Sequence, residues 1–188
     1  MGPQLQLVFK ESYSFIDTPN IFKVAAGYPC VYLWGVQQQD GSYLIHYIGQ
    51  TQDIKKRSLE HLQHILSLDY GIFEPNALRK GQLKFLWQGF WRLKFKFEPW
   101  QVANFYVTHS QQIVDYIRTI RIFPSNPIKD TKVRLNIEGH LARYLKTTPY
   151  VSIYPLDTRT GISQEPLGIT VKVKSLFNIK GLPPTLSI

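Results

Sequence analysis

Residues 30–68 read CVYLWGVQQQDGSYLIHYIGQTQDIKKRSLEHLQHILSL. Two apolar and aromatic runs flank Asp40-Gly41, a pair suited to the positive backbone angles of a tight turn, so the stretch opens as an antiparallel hairpin of about 30–37 with 43–48. With Asp40 and Gly41 as the two loop residues, Trp34 faces Tyr47 and Tyr32 faces Gly49. Side chains alternate across a strand, which places Tyr32, Trp34 and Tyr47 on one face. The second half reads as a helix capped by Asp53 or Thr51. Ile54, Ser58, Leu59, Leu62, Ile65 and Leu66 form its apolar side. Arg57 and His61, one turn apart, fall on the flank of that stripe at the edge of the sheet, neither fully buried.

Outward from this stretch the signals weaken. Residues 5–16 suit an edge strand or a loose arm, with a turn at Pro19-Asn20. Residues 68–90 carry Asp69, Gly71, Pro75, Gly81 and Gly89 among aromatic and basic residues, the pattern of a structured insertion built from short pieces. WRLKFKF at 91–97 alternates strictly and predicts a strand with one apolar and one cationic face, ended by Pro99. HSQQIVDYIRTIRIF predicts a helix near 109–123, and a last helix covers about 132–146 before Pro149. Strand-like pieces follow at 150–154 and 168–174, and Gly181, Pro183 and Pro184 mark the end.

The 188 residues, 44% of them hydrophobic, fit one domain, 1–188, with a single filled core. A balance of 22 Lys+Arg against 13 Asp+Glu gives +9, pointing to an anionic partner. That charge is uneven: residues 1–50 carry 2 basic and 3 acidic side chains, and the remainder 20 and 10. The lone Cys30 excludes an intramolecular disulfide, a cysteine metal cluster and a CxxC pair. No apolar run reaches the roughly 18 residues of a membrane span, and the N-terminus lacks the regions of a secretory signal. A soluble cytoplasmic protein with no membrane partner is the expectation.

Glu138 breaks the pattern of the last helix. Leu135, Leu141, Ala142 and Leu145 share a face, and Glu138 falls at its centre, where an ionised carboxylate is costly unless paired or bound to a cation. Two ordinary roles remain open: a first-turn carboxylate facing exposed N–H groups, or a partner of Arg134 or Arg143. Tyr32 and Tyr47 equally suit ordinary sheet aromatics, Arg57 beside Lys55 and Lys56 a solvated helix face, and His61, His64 and His140 isolated polar positions. Taken together, two phenols, an arginine and a remote carboxylate suit metal-assisted phosphodiester hydrolysis. A carboxylate holds Mg²⁺, a guanidinium meets developing charge on phosphoryl oxygens, and a phenol positions water or takes its proton.

Cys30-Val31-Tyr32, Tyr47-Ile48-Gly49, Thr51 and Asp53-Ile54-Lys55-Lys56-Arg57, followed by His61, resemble the two-part signature and first helix of the GIY-YIG nuclease superfamily. The first triplet differs at two positions and the second is intact. Glu138 is similar to the family's metal-binding glutamate. The resemblance implies a small three-stranded antiparallel sheet flanked by helices, an α/β core over about 28–66 and 91–146. An insertion at about 67–90 and a strand-containing C-terminal extension at about 147–188 complete it. It further implies one Mg²⁺ or Mn²⁺ held by Glu138, Tyr32 positioning or deprotonating water, Tyr47 supporting it, Arg57 on the scissile phosphate and His61 assisting. Gly49 permits a close approach. Some relatives carry lysine where this chain has Gln50, so that phosphate contact is either absent here or supplied by Lys55.

The function expected from this resemblance is a restriction- or repair-type DNA endonuclease acting on double-stranded or structured DNA. Lys55, Lys56, Arg79, Lys80 and Lys84 are the further contact candidates. Cutting both strands calls for a homodimer or two successive events. The alternatives are a catalytically inactive DNA-binding module, and an RNA-binding protein using Lys94, Lys96 and nearby aromatics.

Overall fold

The computed structural model describes residues 2–90, 98–150 and 166–188. The strand expected at 91–97, with Lys94 and Lys96, and nearly all of that at 150–154 lie outside the described residues. The elements run β1 (Gln4–Phe9), β2 (Cys30–Gln37), β3 (Tyr43–Thr51), α1 (Ile54–Leu66), β4 (Ile72–Phe73), α2 (Pro75–Arg79) and β5 (Phe85–Trp87). They continue with α3 (Pro99–Thr119), β6 (Ile120–Pro124), α4 (Thr131–Lys146), β7 (Thr170–Ser175), β8 (Ile179–Lys180) and β9 (Thr185–Ser187).

The hairpin β2–β3 has the expected pairs, Tyr32 with Gly49 and Trp34 with Tyr47, but reaches them differently. Its loop is longer than two residues. Gln38 N donates to Ser42 O at 2.8 Å, Gly41 N donates to Gln38 O at 3.0 Å, and Gly41 alone takes a positive φ, of 78°. This is a type-I-like turn closed by a left-handed glycine, and it sets Gly35 against Ile45. A β-bulge then inserts His46 on β3 and restores the pairing of Trp34 with Tyr47. The bulge also turns His46 to the same side as Tyr47: its Nε2 lies 3.2 Å from the Tyr116 hydroxyl on α3, while Tyr47 packs on Trp34 at 4.9 Å.

The main sheet has the order β6-β2-β3-β8. Three of its strands are antiparallel, as expected, and β8 adds a short parallel fourth, Tyr43 against Ile179. Lys180 Nζ reaches Asp40 Oδ2 at 2.7 Å and ties β8 to the hairpin turn. A second sheet, β1-β7-β9, joins the N-terminal strand to the C-terminal extension. β9 follows Pro183-Pro184, where composition suggested only a chain end. Residues 68–90 are short pieces: β4 and β5 pair around α2.

The helix expected at 109–123 begins ten residues earlier and stops at Thr119. Pro99 is its first residue, with Glu98 and Gln101 forming a reciprocal capping box. Residues 120–124 are instead β6, paired antiparallel with β2. Ile113, Tyr116, Ile117 and Ile120 continue a helical stripe, but Ile120 and Ile122 also alternate as strand residues. Both are fully buried against β2, and this tertiary partner decides between the two patterns.

The sheet separates two cores. On one face Tyr32, Trp34 and Val36 meet Ile54 and Ile65 of α1 and Ile113, Tyr116 and Ile117 of α3. On the other, Val31, Leu33, Ile45 and Ile48 meet Ile137, Leu141 and Leu145 of α4 together with β1 and β7. The buried stripe of α1 is Ile54, Ser58, His61 and Ile65. Leu59 and Leu66 are each 48% exposed, and His61, placed on the flank by its polarity, is fully buried. Among the described residues no helix is long and apolar enough to cross a membrane.

This orientation of α1 predicts unequal truncations. Ile65→Ala should lower unfolding free energy by about 2–5 kcal/mol in urea titration. Leu59→Ala should stay within about 0.5 kcal/mol of the native chain; comparable losses at the two sites would contradict the orientation.

Candidate active site

β2 and β3 deliver Tyr32 and Tyr47, stacked with ring centroids 5.9 Å apart. α1 delivers Arg57 and His61, its start fixed by Asp53, whose carboxylate accepts from Lys56 N at 3.1 Å. The Tyr32 hydroxyl lies 2.7 Å from His61 Nε2, and His61 Nδ1 lies 3.1 Å from the hydroxyl of Tyr70, a residue of the insertion. The rings of Trp34 and Tyr47 stand edge-on to the imidazole at 4.7 and 5.0 Å. Burial, aided by the charges of Arg57 and His64, holds the His61 pKa well below its ordinary value. The imidazole is therefore neutral, with one nitrogen donating and the other accepting. Tyr32, His61 and Tyr70 form one continuous hydrogen-bonded chain.

Tyr32 is 1% exposed. Burial and the neighbouring Tyr47 raise its pKa well above the ordinary phenol value, while the Arg57 guanidinium at its hydroxyl opposes the shift. Arg57 itself is half-buried. Burial works against its charge, but its bond to Glu60, at 2.8 Å, and the Tyr32 and Tyr47 oxygens outweigh that effect and keep it protonated.

Gly49 sits under these phenols. A methyl carbon there would collide with the Tyr32 hydroxyl and lie 2.8 Å from Cε1 of Tyr47. Glycine is required by close approach, since only its missing side chain leaves the Tyr32 ring its place.

Glu138 is half-buried and falls between Leu145 and Ala142 on the face of α4 that also buries Arg134, Ile137 and Leu141. The helix begins at Thr131 and is capped by Asp130, so Glu138 is not a first-turn carboxylate. Nor does it pair with Arg134, whose N–H groups go to Ile128 O, Lys129 O, Thr131 and Gln50. Desolvation pushes the Glu138 pKa up to about 7, against the opposing field of Arg57. Arg57 thus bonds to Tyr32 and acts through its charge on Tyr47 and on Glu138. It also forms a wall of an open cleft of about 320 Å³, bordered by Gln50, Thr51, Lys56, Thr131 and Arg134 where the starts of α1 and α4 face each other. Glu138 does not itself line that cleft.

No family model, curated protein or solved structure matches the chain. What the site can do follows from its own groups. Arg57 is a charged fork suited to a phosphate. Glu138 is a desolvated carboxylate without a cationic bond partner among the described residues. It fits a hard divalent cation that takes one carboxylate from the protein and its other ligands from water and phosphate oxygens. Among the described residues no group of three His, Cys, Asp or Glu side chains could hold a metal.

The structure brings together Tyr32, Tyr47, Gly49, Arg57 and His61, with Glu138 in electrostatic range. Of the basic candidates, only Lys56 lines the cleft; Lys55 is exposed on α1 outside it. Arg79, Lys80 and Lys84 are exposed elsewhere. Leu78 O accepts from Gln38 Nε2, which sets the end of α2 beside the hairpin turn, at the opposite end of the sheet from Gly49. Tyr70, Gln50 and Arg134 escaped sequence reasoning as site-forming residues. Arg134 had one signal, its position four residues before Glu138 on the same helix; Tyr70 had none.

Two outcomes follow. Gly49→Ala should cost about 1–3 kcal/mol of stability and break the Tyr32–His61 bond, read by the imidazole ¹⁵N shifts. For Glu138, the native carboxyl holds its proton up to about pH 7 while the unfolded one releases it near 4.5, so stability falls as pH rises through that window. Glu138→Gln should therefore raise stability by about 1–3 kcal/mol at pH 8 and leave it unchanged at pH 4, measured by thermal unfolding.

Proposed function

We propose that this protein is a GIY-YIG-type endonuclease that hydrolyses phosphodiester bonds in double-stranded or structured DNA with Mg²⁺ or Mn²⁺. The observation that carries the reading is the convergence on Arg57: two phenols and a neutral imidazole on one side, an unpaired carboxylate on the other. The antiparallel trio β6-β2-β3, with α1 and α4 on its two faces, supports the same assignment.

In this mechanism Arg57 grips the scissile phosphate and meets the charge that grows on its non-bridging oxygens. Its present partner, Glu60, is half-exposed and gives way to the phosphate, on whose oxygens further negative charge develops in the transition state. Tyr32 rests as a neutral phenol and orients the attacking water. As the new P–O bond forms, the water's proton passes to the Tyr32 oxygen, the Tyr32 proton to His61 Nε2, and the Nδ1 proton to Tyr70, whose own proton leaves to solvent. The bond from phosphorus to the 3′ oxygen breaks, and that oxygen is protonated from solvent, leaving a 5′-phosphate and a 3′-hydroxyl. Tyr47 braces Tyr32 by ring stacking. Glu138 would hold the cation, which when bound polarises a phosphoryl oxygen and stabilises the leaving oxygen.

Cleavage of supercoiled and branched DNA, with Mg²⁺ or with EDTA, tests this. The native chain should cut only with the metal, and Glu138→Ala and Arg57→Ala should each lose at least about 100-fold. Full metal-dependent activity in both folded variants would overturn the assigned site. DNA binding with no cleavage of any form would favour the inactive module.

A further inference from the structure

Arg134 is fully buried, and among the described residues no carboxylate lies within ion-pairing distance of it. Its hydrogen bonds all go to neutral acceptors: Nη1 to Ile128 O at 2.6 Å and Lys129 O at 2.8 Å, Nη2 to Thr131 Oγ1 at 3.0 Å, and Nε to Gln50 Oε1 at 3.3 Å. Four of five N–H groups are used, and one on Nη2 remains. A buried guanidinium with only dipoles around it leaves a positive charge unbalanced inside the protein. Arg134 borders the cleft beside Arg57.

The bonds of Arg134 also decide what its neighbours offer. Thr131 Oγ1 accepts from Arg134 Nη2 and from Gln52 Nε2, the latter at 2.6 Å, so both lone pairs are taken and the hydroxyl can only donate. Gln50 spends its amide oxygen on Arg134 and keeps its NH₂. Both carboxylates at the rim are engaged: Asp53 accepts from Gly27 N and Lys56 N, and Glu60 accepts from Arg57. The wall formed by Gln50, Thr131, Arg134 and Lys56 presents donors and positive charge.

The geometry points to a second phosphate subsite in this cleft, one that takes the backbone phosphate next to the scissile one on the substrate strand. This deepens the nuclease reading and rests on it for the strand. The phosphate supplies the anion that Arg134 lacks and accepts from the Thr131 hydroxyl and the Gln50 amide. Arg57, shared between the cleft and the phenol cluster, sets the two phosphates side by side.

The decisive variant is Gln50→Glu, which places a carboxylate against Arg134. It should raise the melting temperature, because the buried charge gains a partner. It should also weaken binding of a duplex oligonucleotide about tenfold in EDTA and reduce the slope of log K against log salt by about one. Thr131→Val, which removes the hydroxyl bonded to Arg134 Nη2 and Gln52 Nε2 at the exposed first residue of α4, should lower the melting temperature and weaken binding in the same assay. A purely structural Arg134 predicts unchanged affinity and slope in both variants, with the higher melting temperature in Gln50→Glu alone, and that result would overturn the subsite whether or not the protein cuts DNA. Native binding with the expected loss in Gln50→Glu, but no cleavage, would sink the nuclease reading and leave the subsite standing. If the native chain binds no duplex, inorganic pyrophosphate becomes the probe. A thermal shift seen in the native chain and absent in Gln50→Glu keeps the phosphate site and removes the strand assignment; no shift in either overturns both.

Discussion

The contact between Gly49 and the Tyr32 ring is the constraint on which the candidate site depends. With any Cβ at position 49 the Tyr32 hydroxyl could not lie where it bonds His61. Without that bond a polar histidine would be buried with one ring nitrogen unsatisfied, a cost of about 1–3 kcal/mol. The glycine meets Tyr32 only because the two are cross-strand partners, and that pairing is fixed by the turn at Gly41 and the bulge at His46 acting together. Register, packing and chemistry are linked through one missing methyl group. The bulge does a second service by directing His46 and Tyr47 to one face, which fills the space between sheet and α3 while leaving Tyr47 in the phenol cluster.

Much of this was legible in the sequence. The hairpin, α1 with its Asp53 cap, α4 and β7 all follow from local periodicity and capping, signals that tertiary context reinforced. The pairing of Trp34 with Tyr47 also came out as expected, but through cancellation: the loop is one residue longer than a two-residue turn and β3 carries one extra residue. A bulge has no reliable sequence mark, so correct register there did not rest on the correct turn. The boundary of α3 failed where two periods overlap, and only the neighbouring β2 decides that Ile120 begins a strand. His61 was misplaced for a different reason. Polarity assigns histidine to a flank, yet two phenols satisfy its nitrogens and make full burial affordable, and neither Tyr70 nor its distance from His61 can be read from spacing.

Glu138 and Arg134 carry the two charge anomalies of α4, one turn apart. Their proximity in sequence invites an ion pair, and the structure does not form one: Arg134 turns to the loop at 128–131 and to Gln50, and Glu138 remains desolvated within the field of Arg57. Pairing them would relieve both anomalies at once. It would also neutralise the carboxylate suited to a cation and the guanidinium suited to an anion. Keeping them apart costs stability and leaves two uncompensated groups of opposite sign on one helix, which is the pattern the proposed function would explain.

Arg57 connects these regions because it is the charge least committed to the interior. Arg134 cannot move without releasing two backbone carbonyls, and His61 is fixed by a hydroxyl at each nitrogen. Arg57 is half-exposed and bonded to a half-exposed Glu60 one helical turn away, an exchangeable pair worth at most about 1 kcal/mol. In the proposed mechanism a phosphate arriving at the cleft exchanges with that carboxylate, since both make charge-assisted bonds to the guanidinium fork and the half-exposed pair costs little to break. In that mechanism the Glu60 bond holds Arg57 before substrate arrives, so the guanidinium needs only to exchange partners. A rigid phenol–imidazole chain, a fixed buried cation and one adaptable arginine between them would then divide the labour, with binding and orientation resting on different residues.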